Sequence, residues 1–151
     1  MIYRRSKARE VALQLLYRVD LNPSLSKAQV AEFITARIND QISRDFALLL
    51  YQQTMQNLSQ IDAMLVQSAE NWRLPRMAAV DRNLLRLGTF ELSHQKETPS
   101  EFVLNESIEL AKRFGTADSP SFVNGILDKI CSTERPKPEK GSGVQRWYRD
   151  L

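Results

Sequence analysis

The chain has 151 residues, 42% apolar and 26% charged, a size and balance that suit one globular domain with its own core. No stretch approaches the roughly 20 apolar residues that span a bilayer, and the basic start lacks the apolar segment of a secretory signal, so a cytoplasmic location is expected. A single histidine, His94, and a single cysteine, Cys131, exclude a multi-histidine metal site, an internal disulfide and a thiolate zinc cluster.

The net charge of +3 says less than its distribution. Arg4, Arg5, Lys7 and Arg9 all precede the first acid, Glu10. Across residues 3–20, Ala8, Val11, Ala12, Leu15, Leu16 and Val19 recur at three- and four-residue spacing, which predicts a helix with one buried face. Asn22-Pro23-Ser24 ends it, because proline disfavours helical geometry in the residue before it. A second helix is expected over residues 26–39 on the stripe Val30, Phe33, Ile34 and Ile38. Ser43 suits the N-cap of a third and longest helix over residues 44–68. A further helix over residues 78–94 carries Leu84, Leu85, Leu87 and Leu92, with Gly88 in its middle, where a neighbouring helix is expected to come close.

Residues 103–130 are the best-punctuated part of the chain. Leu104, Ile108 and Ala111 form one stripe, with Val103, Leu110 and Phe114 beside it and Glu106, Glu109, Lys112 and Arg113 facing away. Gly115 suits the left-handed position past a helix end, and Ser119-Pro120 reads as N-cap and first turn of the last helix. The pattern predicts an all-α domain of six or seven helices over residues 1–133. Residues 134–151, with Arg135, Lys137 and Lys140, are expected to be a basic, flexible tail.

Chemistry-bearing constellations are scarce. The five glycines are scattered, with no phosphate-cradling loop and no nucleophile elbow, and Glu106, Glu109, Lys112 and Arg113 are spaced as ordinary exposed helix ion pairs. No enzyme, metal or cofactor is therefore expected. The cations at the first helix suit phosphates, which they would bind with salt-dependent affinity.

Arg4-Arg5-Ser6-Lys7-Ala8-Arg9-Glu10, with Ala12-Leu13-Gln14 and Tyr17 after it, resembles the opening of the NusB transcription antitermination family. Val80-Asp81-Arg82, Leu85-Arg86-Leu87-Gly88, Phe90-Glu91-Leu92, Asn105-Glu106, Ile108-Glu109-Leu110-Ala111-Lys112, Phe114-Gly115 and Phe122-Val123-Asn124-Gly125-Ile126-Leu127-Asp128 look like the rest of its signature, in order. The resemblance implies an all-helical fold of two subdomains. It also implies a protein that binds boxA RNA of ribosomal RNA operon transcripts together with NusE, a small-subunit ribosomal protein, and joins RNA polymerase and other Nus factors in suppressing premature termination.

Carried over residue by residue, it places Arg4, Arg5, Lys7, Arg9, Tyr17, Asp118, Ser119 and Phe122 at the RNA and turns Asp81 toward NusE. Tyr17 and Phe122 would each stack a base for about 1 to 3 kcal/mol if exposed; Phe122 is equally placed to be core beside Ile126. Ser119 to Ser121 would offer free helix N–H groups to a phosphate. Ser6 interrupts the family's basic run. The same helical domain also resembles the start of some ribosomal RNA cytosine methyltransferases, but no Gly-rich nucleotide-binding turn follows here. A protein-binding adaptor or homodimer without specific RNA recognition remains the alternative.

Overall fold

A computed structural model describes residues 2–70 and 72–136, with side chains from residue 5 onward. They form seven α-helices: α1 (Ile2–Leu21), α2 (Lys27–Arg37), α3 (Gln41–Gln56), α4 (Leu58–Ser68), α5 (Ala79–His94), α6 (Ser100–Phe114) and α7 (Ser119–Glu134). One 3-10 turn, Leu74–Arg76, precedes α5. There is no strand among the described residues, in agreement with the all-α pattern. Two groups of helices share the core. α1 lies along α3 with α2 against both, while α5, α6 and α7 pack on one another with α4 on α5 and α7. α1 and α3 then lean on α5, which joins the groups.

The spacing of apolar residues accounts for this packing. Ala8, Val11, Ala12, Leu15 and Leu16 are enclosed, as α1's periodicity predicts, and each leucine removed from water contributes about 1.5 to 3 kcal/mol. α2 opens on a capping box. Ser26 Oγ accepts the Gln29 N–H, and Gln29 Oε1 accepts the Ser26 N–H.

The single helix expected over residues 44–68 is instead two. Asn57 ends α3 and begins α4, and its side-chain Nδ2 donates to the Gln53 carbonyl at 2.7 Å, competing with the helical ladder at that point. Nor is Ser43 the cap. α3 starts three residues earlier, and the Asp40 carboxylate accepts the Ser43 N–H at 2.9 Å.

The two conspicuous glycines answer to crowding. A Cβ on Gly88 would stand 2.7 Å from Leu127 Cδ1, so α7 comes close to α5 there, as expected. Gly115 is extended, at φ −99° and ψ −164°, and not left-handed. Its Cβ would run into the Ser119 side chain, 2.6 Å from Cβ, and lie 2.9 Å from the Ala111 carbonyl. A bare residue is needed there to let the chain double back from α6 into α7.

Two polar joints fasten the helices. At the end of α1, Asp20 Oδ2 accepts from Arg82 Nη2 at 2.7 Å, Arg82 Nε at 2.9 Å and Asn83 Nδ2 at 2.9 Å. Arg86 reaches Asp62 on α4 at 2.9 Å and lies 3.6 Å from Asp20, so one carboxylate ties α1 to α5 and, through Arg86, to α4. At the far end, Arg135 is not part of a free tail. Its guanidinium donates to the carbonyls of Glu91, Leu92, Gln95 and Thr98 and to Ser100 Oγ, capping α5 and the turn into α6. The rest of the expected tail, with Lys137 and Lys140, lies outside the described residues.

Candidate nucleic-acid interface

The cations at the start of α1 have three different fates. Arg4 lies in α1, but its side chain is outside the described residues. Arg5 is exposed, with its guanidinium carbon 5.4 Å from the centre of the Phe46 ring and no carboxylate in ion-pair reach among the described residues. Lys7 keeps 41% of its side chain in solvent and pairs with Glu10 at 3.4 Å.

Arg9 is a correction. It is 3% exposed, its Nε donates to both Glu91 carboxylate oxygens at 2.9 and 3.0 Å, and its Nη2 stands 2.9 Å from one of them. Enclosed against α5, it presents nothing to a ligand. Burial pushes the Glu91 carboxyl above the ordinary carboxylate range, with Arg9 and Arg135 pulling it back and Glu106 adding to the rise.

The interruption at Ser6 has a structural use. Ser6 Oγ donates to Glu106 on α6 at 2.5 Å, fastening the start of α1 to α6. One turn further, Arg113 Nη2 on α6 meets Glu10 at 2.8 Å. Two turns on, Leu13, Gln14 and Tyr17 share with Phe114 of α6 a mainly apolar groove of about 430 Å3, completed by Arg18, Phe33, Arg37 and Val80. Tyr17 is 37% exposed in it. The seam between α1 and α6 thus runs from Arg5 and Lys7, past Glu10 and Arg113, to Tyr17, and α7 starts five residues beyond Phe114.

At that start Asp118 is exposed in the N-cap position, with no side-chain cap bond, while its carbonyl accepts the Phe122 N–H. Ser119 is the second correction. It is 1% exposed, and its Oγ accepts the Thr116 N–H at 2.9 Å, so the hydroxyl shapes the turn from inside and does not face a ligand. Phe122 is half-buried, neither core nor free. Its ring meets Trp72 edge to face, with centroids 5.2 Å apart and planes at 77°. Trp72, 57% exposed, was not among the residues predicted from the sequence; its signal is a tryptophan followed by Arg73 and Arg76, both exposed. Asp81 stands in the first turn of α5, beside groove residue Val80, and its enclosed Oδ1 has no hydrogen-bond partner.

Among the described residues no group of three or more His, Cys, Asp or Glu side chains converges as a metal site would, and no helix is long and apolar enough to cross a membrane. Cationic and aromatic side chains ranged along a helix seam and a helix start define a helical protein with a face suited to unpaired nucleic acid. Residues 6–132 match the model of the NusB family, and the chain belongs to that family.

It is 42% identical to the transcription antitermination protein NusB of Sorangium cellulosum, over 84% of this chain and 91% of that one. It is also 42% identical to that of Geobacter sp. strain M21, over 88% and 97%. Among solved structures, NusB of T. maritima superimposes with a TM-score of 0.78 at 33% identity, covering 87% of this chain and 93% of that one. A chain from the crystal structure of antitermination factors NusB and NusE in complex with dsRNA does so with a TM-score of 0.81 at 27% identity, covering 88% and 99%.

Proposed function

We propose that this chain is a noncatalytic antitermination factor of the bacterial cytoplasm. It grips boxA of ribosomal RNA operon transcripts jointly with NusE and so helps RNA polymerase, with other Nus factors, to read through premature termination signals. The observation that carries this is the α1–α6 seam in a NusB-family chain. Arg5 and Lys7 stand at one end of it, Tyr17 at the other, and Asp118 and Phe122 at the start of α7 just beyond. Cations hold phosphates and exposed rings stack splayed bases, the combination that unpaired RNA requires. Arg4 joins the set by its position on α1. Arg9 and Ser119 serve it from beneath, the first by fixing α1 to α5 and the second by shaping the turn that presents Asp118.

NusE is assigned to the groove beside Tyr17. An apolar floor of Leu13, Tyr17, Phe33, Val80 and Phe114 suits a partner with an apolar anchor, and Asp81, next to Val80 in the first turn of α5, is the acid assigned to a basic side chain of that partner. Each surface is modest alone, so RNA and NusE should strengthen one another.

The test is a filter-binding titration with boxA and with scrambled RNA, with and without NusE. Preference for boxA that grows when NusE is added is the expected result. Equal retention of the two RNAs under every condition would reject specific recognition and leave a protein-binding adaptor or homodimer.

A further inference from the structure

Beside the α1–α6 seam, and sharing Lys7, Glu10 and Arg113 with it, lies a second, polar opening whose far side the assignments above do not use. It is a crevice of about 460 Å3 between α1, the α2–α3 connection and the end of α6. Three cations from three helices line it: Lys7 of α1, Arg37 of α2 and Arg113 of α6. Two carboxylates, Glu10 and Asp40, line it as well. Glu10 is held by Lys7 at 3.4 Å and by Arg113 at 2.8 Å, and Asp40 accepts the Ser43 N–H.

In its wall stands Ser43, 3% exposed, whose enclosed Oγ has no hydrogen-bond partner. A buried hydroxyl left unpaired destabilises the fold, and one at the wall of an open crevice regains that loss when a ligand supplies an acceptor. The charge count points the same way. Among the described residues, three cations against two carboxylates leave one positive charge, which a single phosphodiester neutralises.

Arg37 is set for such a contact. Its guanidinium carbon is 3.4 Å from the centre of the Phe33 ring, and Nη1 donates to the Phe33 carbonyl at 3.2 Å. The planar group is thus held in place before any ligand arrives, and little of its freedom remains to be lost on binding. Because Arg37 also borders the Tyr17 groove, it forms the wall between the two openings.

We propose that this crevice seats one backbone phosphate of the bound RNA, with Arg37, Arg113 and Lys7 supplying charge and Ser43 Oγ a hydrogen bond. The RNA path then turns off the α1–α6 seam onto the α2–α3 connection. The inference rests on the RNA-binding function proposed above.

Fluorescence anisotropy with labelled boxA RNA, at several salt concentrations and with NusE present, tests it on the full chain. Arg37→Ala should weaken binding several-fold and reduce the slope of log K against log salt by about 0.7, the value for one phosphate contact on a single strand. Arg37→Lys should keep the slope. Ser43→Ala should weaken binding at an unchanged slope, because it removes a neutral donor. Replacing one RNA linkage with an uncharged methylphosphonate should reproduce the Arg37→Ala loss in the wild type and add nothing in that variant.

Wild-type affinity and slope in a folded Arg37→Ala, alongside a weakened Arg5→Ala, would overturn the crevice while leaving RNA binding intact. Failure of the wild type to bind boxA would overturn both. Titration with AMP separates a free phosphate ester from the RNA backbone. Binding of AMP that Arg37→Ala abolishes while RNA affinity is unchanged would overturn the RNA assignment.

Discussion

Arg9 and Glu91, 82 positions apart in the chain, close a charged contact inside the molecule, where they are 3% and 2% exposed. It joins α1 to α5 and so sets the tilt of the helix that carries Arg5, Lys7 and Tyr17. Removing one partner of such a pair strands the other charge in the interior, at a cost of about 3 to 5 kcal/mol. Glu91→Ala should therefore lose about that much stability in urea unfolding. The double variant Arg9→Met with Glu91→Leu should be more stable than Glu91→Ala. A Glu91→Ala midpoint close to wild type would show that the pair does not fasten the helices.

Arg135 should act as a clasp, although it stands in a segment whose composition suggests a loose tail. One guanidinium satisfies carbonyls at the end of α5 and in the turn that follows, where a helix leaves acceptors unpaired. Arg135→Ala should cost about 3 kcal/mol, since hydrogen bonds to a charged donor contribute about 1.5 to 3 kcal/mol each and are not additive. Arg135→Lys should recover little of it, because an ammonium lacks the planar fork. Equal unfolding midpoints for Arg135→Ala and wild type would contradict this.

Asp20 gives the fold a pH dependence. Burial alone would raise its pKa, but hydrogen bonds from Arg82 and Asn83 and the charges of Arg82 and Arg86 outweigh that and hold it below the usual 3.8. The unfolded chain therefore takes up this proton at higher pH than the folded one. The stabilisation is complete above pH 3.8 and disappears as pH falls through the lower folded value. The stability gap between wild type and Asp20→Asn should be widest near neutral pH and should narrow below pH 3.8. A gap that is constant across that range in urea titrations would refute the assignment.

The buried faces of α1 and α5 were legible, because apolar residues recur there at the helical period, whereas on α6 the enclosed side is Val103, Ser107, Leu110 and Ala111 and the expected stripe residues Leu104 and Ile108 are only half-buried. The break at Asn57 was not legible. Gln56-Asn57-Leu58 contains no glycine or proline, and the break comes from a local side-chain bond. Ser43 and Asp40 are both good capping residues, and only the tertiary arrangement decides between them.

Arg9 misled for a different reason. Its charge suggested solvent, while its neutralising partner lies far away in sequence on α5 and no periodicity reveals it. Part of the signature in α5 proved to be such joints: Arg82 and Arg86 fasten helices and do not line the seam. The exposure of Arg5, Lys7 and Tyr17 was legible, because surface cations and rings need no distant partner to be where they are.

The central claim is that unpaired RNA is held along the α1–α6 seam by the cations at the start of α1. The most direct measurement compares wild type with Arg5→Glu/Lys7→Glu for boxA affinity in the presence of NusE across a range of salt. Two lost phosphate contacts should make binding much weaker at low salt and cut the salt slope by about 1.4, at about 0.7 per contact, while NusE binding without RNA stays unchanged. Unaltered affinity and slope in the double variant would contradict the claim.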